Sequence, residues 1–532
     1  MKKTPPSQAK QDKQEQQEKF YARFVAKPKL SGKQRRQQME ELWFDDDDED
    51  EDEDEYVPAT EEDTRQAREQ FREKSLPEHR ASAVNPTRCP AAKKCSGCQM
   101  QNLPYEDGLR WKQAQVKKLL GSFGRIQPII GMDDPTHYRN KVQVAFGMTR
   151  NHRIISGIWQ SREQRIAAVD RCMIEDRTAS EIAITIRKLL PAFKMTAWTP
   201  ENGGFLRHIL IRRGFATGQI MVVLVAGTPI FPSKKNFTAA LLRAHPEITT
   251  VVFTVNESET NLLLGKREEV LYGNGYIEDT LCGLTFRISP KSFYQVNPVQ
   301  TEVLYQTALE YAGLTGKERV LDAYCGIGTI GLAAAGKAGQ VLGVEVNPDA
   351  VADAEKNAVR NGVKNAEFVC ADAGEYMTEL AQLGEKVDVL FMDPPRAGAD
   401  KAFLQAALTC APEKIVYISC NPETQARDLA MLTAKKGYRV VRMQPVDMFP
   451  WTHHVENVAL LEKVQPKAPK PTPVETKSAP KQKADAPVHK HTRPSRRSQF
   501  ARKNNAAFGK SVKAVSDKKS GHAAEKKGHY AK

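Results

Sequence analysis

Residues 318–373 read ERVLDAYCGIGTIGLAAAGKAGQVLGVEVNPDAVADAEKNAVRNGVKNAEFVCADA. ERVLDAYCG (318–326) is a buried strand that runs into a glycine-rich turn. TIGLAAAGKA follows as a helix, and QVLGVEVN (340–347) as a second strand. PDAVADAEKNAVRNG is a helix, and NAEFVCADA (365–373) a third strand. Downstream, VDVLFMDPPR (387–396) and KIVYISCNP (414–422) are strands that end in polar residues. Strands alternating with helices predict an α/β fold with a parallel, doubly wound sheet. Ligands of such a sheet sit at the carboxyl ends of its strands.

The turn Gly326-Ile-Gly328-Thr-Ile-Gly331 brings backbone close to a ligand. Glu345 ends the next strand, 19 residues after Gly326, where an acid binds ribose hydroxyls in a Rossmann-like unit. These glycines also match a nicotinamide fingerprint, so they do not choose the cofactor. Asp372, in CADA, and Asp393-Pro-Pro-Arg396 are the pattern of S-adenosylmethionine methyltransferases. Asp372 is a candidate for the adenine amino group, with a helix N-cap as the alternative.

Cys420, in Ser419-Cys420-Asn421-Pro422, stands at a strand end on the ligand face. A thiolate there can add to C6 of uracil and make C5 able to accept a methyl group. A base must then take the C5 proton. Glu456, in His453-His454-Val455-Glu456 just before the apolar strand VALLE, is the candidate. His454 reads as packing. Cys282, Cys325, Cys370 and Cys410 read as small buried hydrophobes.

Working outward, residues 105–121 have helical spacing, with Leu109, Val116, Leu119 and Leu120 on one side. HYRNKVQVAFG (137–147), two strands within 207–227 and TTVVFTVNE (249–257) predict an antiparallel α+β region. Upstream, Cys89, Cys95 and Cys98 are spaced C-x5-C-x2-C, and Cys172 lies further on. Four thiolates suit either a [4Fe–4S] cluster or zinc, and the spacing does not separate them. Brown colour with visible sulfur-to-iron absorbance would.

The set FYQVN (293–297), LDAYCGIGTIG (321–331), GVEVNPDAV (343–351), DPPRAG (393–398), SCNP (419–422) and DMFPWTHHVEN (447–457) resembles the RNA (uracil-5-)-methyltransferase family. The resemblance runs from about 88 to 464. It implies a class I methyltransferase domain behind an RNA-binding region, and formation of 5-methyluridine. It makes Cys420 the nucleophile and Glu456 the base. Gln295, Tyr324, Glu345 and Asp393 match the family's S-adenosylmethionine positions, beside Gly326 and Gly328. It favours the iron–sulfur branch, whose members act mostly on 23S ribosomal RNA; transfer RNA is the alternative substrate. Thr329 stands where some relatives have Asn, and residues 1–80 lack the small β-barrel found in many members. Tyr138, Arg139, Lys141, Arg207, Arg212 and Arg213 are then candidates for phosphate contacts. Two other readings compete: an amino-group methyltransferase using Asp393-Pro-Pro-Arg396, which needs no thiol, and a non-catalytic RNA-binding assembly factor.

The chain has 532 residues, enough for several domains, and 40% are apolar. Four segments are expected: a charged tail over 1–80, an α+β RNA-binding region with the cysteines over 81–290, the methyltransferase domain over 291–464 and a basic tail over 465–532. Asp45 to Glu55 is an unbroken acidic run that repels itself. The net charge of +14 equals that of 465–532 alone, with 18 Lys/Arg and 4 Asp/Glu. That tail is expected to add salt-sensitive attraction to RNA. No apolar stretch predicts a membrane span or secretory signal, so a reduced, cytoplasmic monomer is expected.

Overall fold

A computed structural model describes residues 89–464, apart from 161–162, 202, 257–263, 266 and 435–436. The acidic run and the basic tail lie outside the described residues. The first element is helix α1 (Tyr105–Leu120), followed by the short strand β1 (Arg125–Ile126). Next come β2 (Lys141–Met148), β3 (Ile154–Gln160), β4 (Arg165–Ala168), α2 (Arg177–Ala192), β5 (Leu206–Arg213) and β6 (Ile220–Ala226). Helix α3 (Lys234–Ala244), β7 (Ile248–Val255) and β8 (Glu268–Tyr272) complete the first half. Strands β2–β8 form a seven-stranded sheet in the order β4-β3-β2-β5-β6-β7-β8. Its pairs are antiparallel except β6–β7, which is parallel because α3 crosses between them. Valines and isoleucines of β2, β5, β6 and β7 bury one face against α2 and α3.

A hairpin, β9 (Ile277–Leu281) and β10 (Leu284–Ile288), leads to α4 (Pro298–Ala312). The second half alternates β11 (Arg319–Ala323), α5 (Thr329–Ala335), β12 (Gln340–Glu345), α6 (Pro348–Arg360), β13 (Ala366–Cys370) and α7 (Ala373–Leu383). It continues with β14 (Val389–Met392), α8 (Lys401–Cys410), β15 (Lys414–Ser419), α9 (Pro422–Thr433), β16 (Tyr438–Val446) and β17 (Glu456–Lys463). The eight-stranded sheet runs β1-β16-β17-β15-β14-β11-β12-β13. Strands β11 to β15 are parallel, and β17 is antiparallel to both neighbours. The doubly wound α/β sheet expected from residues 318–422 is present. Its strands have apolar centres because helices cover both faces.

One difference concerns the 81–290 segment. Helix α1 and strand β1 join the second sheet: β1 pairs parallel with β16, and Val116 and Leu120 enter the core around Leu390 and Ile415. The buried stripe of α1 is Tyr105, Gly108, Lys112, Val116 and Leu120. The expected Leu109 and Leu119 sit beside it, half-buried, because a buried ion pair draws Lys112 inward. Among the described residues, no helix is long and apolar enough to cross a membrane.

Candidate active site

The carboxyl ends of β11, β12 and β14 place three acids and aromatics side by side. Ala323 pairs with Val344 on β12 and with Met392 on β14. One rung further, Tyr324, Glu345 and Asp393 share a level across three strands. Strand order reverses direction between β11 and β14, which is where open α/β sheets bind ligands.

A small cleft opens there, lined by Phe293, Gln295, Tyr324, Gly326, Thr329 and Asp393 among others. Tyr324 has φ 65°, a left-handed conformation that is uncommon for a bulky residue and marks functional sites. Gly328 has φ 83°, and a Cβ there would lie 2.9 Å from the Phe368 ring. Glu345 receives the Gly326 amide at 3.0 Å and the Asn347 amide at 2.8 Å, so it ties the glycine turn to β12. Burial pushes its carboxyl up, and those amides oppose the shift. Gln295 is held from outside the domain: Asn140 donates from Nδ2 to the Gln295 carbonyl at 3.1 Å and from its backbone amide to the Val296 carbonyl at 2.8 Å. Thr329 meets the Tyr305 hydroxyl at 3.1 Å on the cleft wall. Asp372 stands apart, exposed, as the N-cap of α7, and accepts the Glu375 amide at 3.0 Å through Oδ1.

Asp322, near the end of β11, is buried, with Oδ2 accepting the Gly331 amide at 2.7 Å. Burial pushes its carboxyl up to about 8; the Gly331 amide opposes this, and Asp393 and Glu345 add to it. The folded value lies above the unfolded one, near 4. The neutral acid therefore stabilises the fold fully below about pH 4, and this contribution is lost as pH rises through 8. Asp322→Asn is expected to flatten the decline in Tm between about pH 4 and 8. A variant with the parent's pH slope would show that Asp322 is ionised in the folded protein.

Cys420 follows the last residue of β15 and precedes Asn421, the N-cap of α9, whose side chain accepts the Glu423 amide at 3.0 Å. The Ser419 hydroxyl accepts the Asn421 amide at 3.1 Å and donates to the Asn421 carbonyl at 3.0 Å, closing an elbow around Cys420. The helix end behind it favours negative charge. The antiparallel ladder pairs Ile418 with Val458 and Ser419 with Asn457. That pair ends the ladder, and Cys420 and Glu456 are the residues next to it in the two chains, at the carboxyl end of β15 and the start of β17. Glu456 is 3% exposed. Gln425 of α9 locks the two elements together: its Nε2 donates to the Asn457 carbonyl at 3.2 Å, and its Oε1 accepts Asn457 Nδ2 at 2.7 Å.

The loop before Glu456 is clamped by residues that the sequence reading passed over. Lys112 Nζ lies 2.6 Å from Asp447 Oδ1 and 2.9 Å from the Phe449 carbonyl. The Tyr105 hydroxyl donates to Asp447 Oδ2 at 2.7 Å. Trp451, with φ 71°, donates to the Pro135 carbonyl at 2.8 Å, and its own carbonyl accepts the Met100 amide at 2.9 Å. His454, expected only to pack, also accepts a hydrogen bond at Nδ1 from the Arg396 guanidinium at 3.1 Å. A guanidinium can only donate, so Nε2 carries the imidazole proton.

Cys89, Cys98 and Cys172 pack on one aromatic wall with Tyr105, Tyr138 and Trp451. Burial pushes the Cys98 thiol up to about 12, and the nearby Cys95 and Cys89 thiols add to the rise. Among the described residues, these four cysteines included, no three His, Cys, Asp or Glu side chains are grouped as a metal-holding set. Of the other cysteines, Cys325 is buried, while Cys282, Cys370 and Cys410 are half-buried.

The expected phosphate contacts are largely spoken for. Tyr138 is buried and donates to the Pro450 carbonyl at 3.0 Å. Arg212 is buried and donates to the Pro290 and Ser292 carbonyls. Arg213 pairs with Asp176 at 2.7 Å, and Arg207 donates to the Asn256 carbonyl and stacks on Trp198. Arg139 donates from Nε to the Lys141 carbonyl at 3.3 Å. Carbonyls at the seam between the two sheets need donors, and arginines supply them.

The family model for tRNA (uracil-5-)-methyltransferases matches residues 104–464. The chain belongs to this family. Among its relatives, an RNA methyltransferase of Halalkalibacterium halodurans is 44% identical over 70% of this chain and 82% of its own length. One from Clostridium acetobutylicum is 44% identical over 71% and 83%. The crystal structure of Pyrococcus abyssi tRNA (uracil-54, C5)-methyltransferase, in complex with S-adenosyl-L-homocysteine, aligns with a TM-score of 0.58 and 30% identity. That alignment covers 69% of this chain and 86% of the archaeal one. The present uracil-5-methyltransferase thus has the methyltransferase fold that its second sheet displays.

Proposed function

We propose that this methyltransferase converts a uridine of 23S ribosomal RNA to 5-methyluridine, with S-adenosylmethionine as methyl donor, Cys420 as nucleophile and Glu456 as base. The carrying observation is that Cys420 and Glu456 flank the last β15–β17 pair, Ser419 with Asn457, in the sheet whose strand ends also form the Gln295–Tyr324–Asp393 cleft. Gln295, Tyr324, Glu345, Asp393 and the Gly326–Gly328 turn would hold the donor, and they fit it: a cleft with close backbone approach and carboxylates at the strand ends. Asp372 would face its adenine end through Oδ2. S-adenosylmethionine bound there supplies an electrophilic methyl carbon.

The target base must be unstacked to enter. The Cys420 thiolate adds to C6, and the C5–C6 π electrons move toward C5 and O4. C5 then forms its bond to the methyl carbon as the methyl–sulfur bond of the donor breaks, its electron pair staying on sulfur and S-adenosylhomocysteine leaving. Glu456 takes the C5 proton, the C5–C6 double bond re-forms, and the Cys420–C6 bond breaks to return the thiolate. A half-buried nucleophile and a nearly dry carboxylate suit these two roles.

Cys89, Cys95, Cys98 and Cys172 would hold a [4Fe–4S] cluster, with zinc as the alternative for a four-thiol set. Its part is structural: the same aromatic wall includes Trp451, five residues before Glu456. Mapping 5-methyluridine across ribosomal and transfer RNA, with and without this protein, tests the assignment. One 23S position is expected to lose its methyl when the protein is absent. Loss confined to transfer RNA would replace the substrate, and no loss anywhere would reject the reaction.

A further inference from the structure

Glu456 has anchored neighbours on both sides. Downstream, Asn457 is held by Gln425 of α9, whose Nε2 also donates to the Tyr417 carbonyl of β15 at 3.3 Å. Gln425 and Asn457 are both fully buried. Upstream, the tie from Glu456 to α9 runs through a third segment, the one that follows Asp393-Pro-Pro.

That segment is stapled along one face of α9. The Arg396 carbonyl accepts Thr424 Oγ1 at 3.0 Å and Asn421 Nδ2 at 3.5 Å. The Ala397 and Ala399 carbonyls accept Arg427 Nη2 at 2.9 and 3.0 Å. The Ala399 amide donates to the buried Asp428 Oδ2 at 2.9 Å. Positions 421, 424, 427 and 428 recur at helical spacing, so these contacts share one side of the helix. Pro394 and Pro395 stiffen the chain just before Arg396.

With its backbone moored on α9, half-buried Arg396 extends its guanidinium to His454 Nδ1 at 3.1 Å. The imidazole meets the Phe449 ring edge-on, and the His454 amide donates to Thr452 Oγ1 at 3.2 Å. His454 is two residues before Glu456. The chain on either side of the acid is therefore referred to one helix: Asn457 through Gln425, and His454 through Arg396. That helix begins directly after Cys420, with Asn421 as its N-cap. Taking a proton from C5 requires the carboxylate within hydrogen-bond reach of a base whose C6 is bonded to Cys420. The distance that matters is thus the one between acid and elbow, and Arg396 touches the mooring of both.

We propose that Arg396 is a positioning residue for the proton-removal step: through its hydrogen bond to His454 it sets where Glu456 stands relative to Cys420. The inference rests on the uridine reading above. It separates two parts of one motif, since Asp393 lines the cofactor cleft while Arg396, three residues on, serves the base.

The test uses the full-length protein and 23S ribosomal RNA from cells that lack it. Arg396→Met and His454→Leu are each expected to lower kcat about 10²-fold, as a misplacement near 1 Å does. KM for RNA and affinity for S-adenosylmethionine should not change, and the latter also reports an intact fold. A methyl-donor-dependent covalent adduct should accumulate in both, as in Glu456→Gln. The double variant should be no worse than either single one, because both remove the same contact. His454→Asn should recover most of the turnover, since its Oδ1 can accept the same bond where Nδ1 stood. A raised KM for RNA with kcat intact in Arg396→Met would make the guanidinium a phosphate contact and overturn the proposal. Additive losses in the double variant, or a lowered kcat without adduct, would overturn it as well. Should the parent protein methylate no RNA, the proposed reaction falls, while amide hydrogen exchange over residues 452–456 still judges the clamp. Arg396→Met should speed that exchange, and unchanged protection would dismiss the tie.

Discussion

Cys420→Ala is expected to abolish methyl transfer, lowering kcat at least about 10⁴-fold, as removal of a covalent nucleophile does. S-adenosylmethionine should bind as before, because the Gln295–Tyr324–Asp393 cleft is built from β11, β12, β14 and the segment before α4. Without the thiol, uracil C5 has no route to carbanion character, and a methyl donor in the cleft finds no nucleophile. Glu456→Gln gives the complementary result. Addition and methyl transfer proceed, but proton removal stalls, at a loss of about 10²–10⁴-fold for a missing base. A covalent protein–RNA adduct should then accumulate, visible on a denaturing gel and dependent on S-adenosylmethionine. Near-normal turnover in Cys420→Ala would dismiss the covalent route. An adduct formed equally well without the methyl donor would show that Glu456 acts before methyl transfer.

Lys112→Met should cost about 3–5 kcal/mol of stability, the range for removing one partner of a buried ion pair. Lys112 and Asp447 are each 1% exposed, and their atoms lie 2.6 Å apart. Burial pushes the Lys112 ammonium down from its usual range, and Asp447 opposes that shift. Removing the ammonium leaves the Asp447 carboxylate with the Tyr105 hydroxyl as its remaining side-chain partner. It also removes one of the hydrogen bonds to the Phe449 carbonyl in the loop that leads to Glu456, leaving those from the Thr452 amide and hydroxyl. The double variant Lys112→Met/Asp447→Asn should recover much of the loss, because no uncompensated charge stays buried. Urea unfolding of the three variants measures this. A single-variant loss under about 1 kcal/mol would place the pair in the class of solvated surface bridges.

Strands β11 to β15 of the second sheet were legible in the sequence because each is built on an apolar run followed by a turn signal. ERVLDAYCG and KIVYISCNP need burial on both faces, and only a helix-covered sheet provides it. The elbow at Cys420 was legible for the same reason: Asn421 and Pro422 are N-cap and N1 residues. Less could be read from the first sheet. Alternation in HYRNKVQVAFG located a strand, but alternation does not say which polar residues face water. Arg212 and Tyr138 looked like surface groups and are buried donors. In α1, a lysine on the apolar stripe gave no sign that its partner lay 335 residues away.

Sequence by itself determined the local chemistry: where strands end, which residues cap helices and which thiol and carboxylate stand at strand ends. These depend on neighbours within a few positions and on the apolar periodicity of each element. Tertiary structure alone decided which ends meet. The antiparallel insertion of β17 between β15 and β16 brings the start of β17, with Glu456, to the end of β15 that precedes Cys420. The return of α1 to the second sheet brings Lys112 to Asp447 and fixes the loop between them. Register and burial are properties of pairing across long chain separations, and no local pattern encodes them.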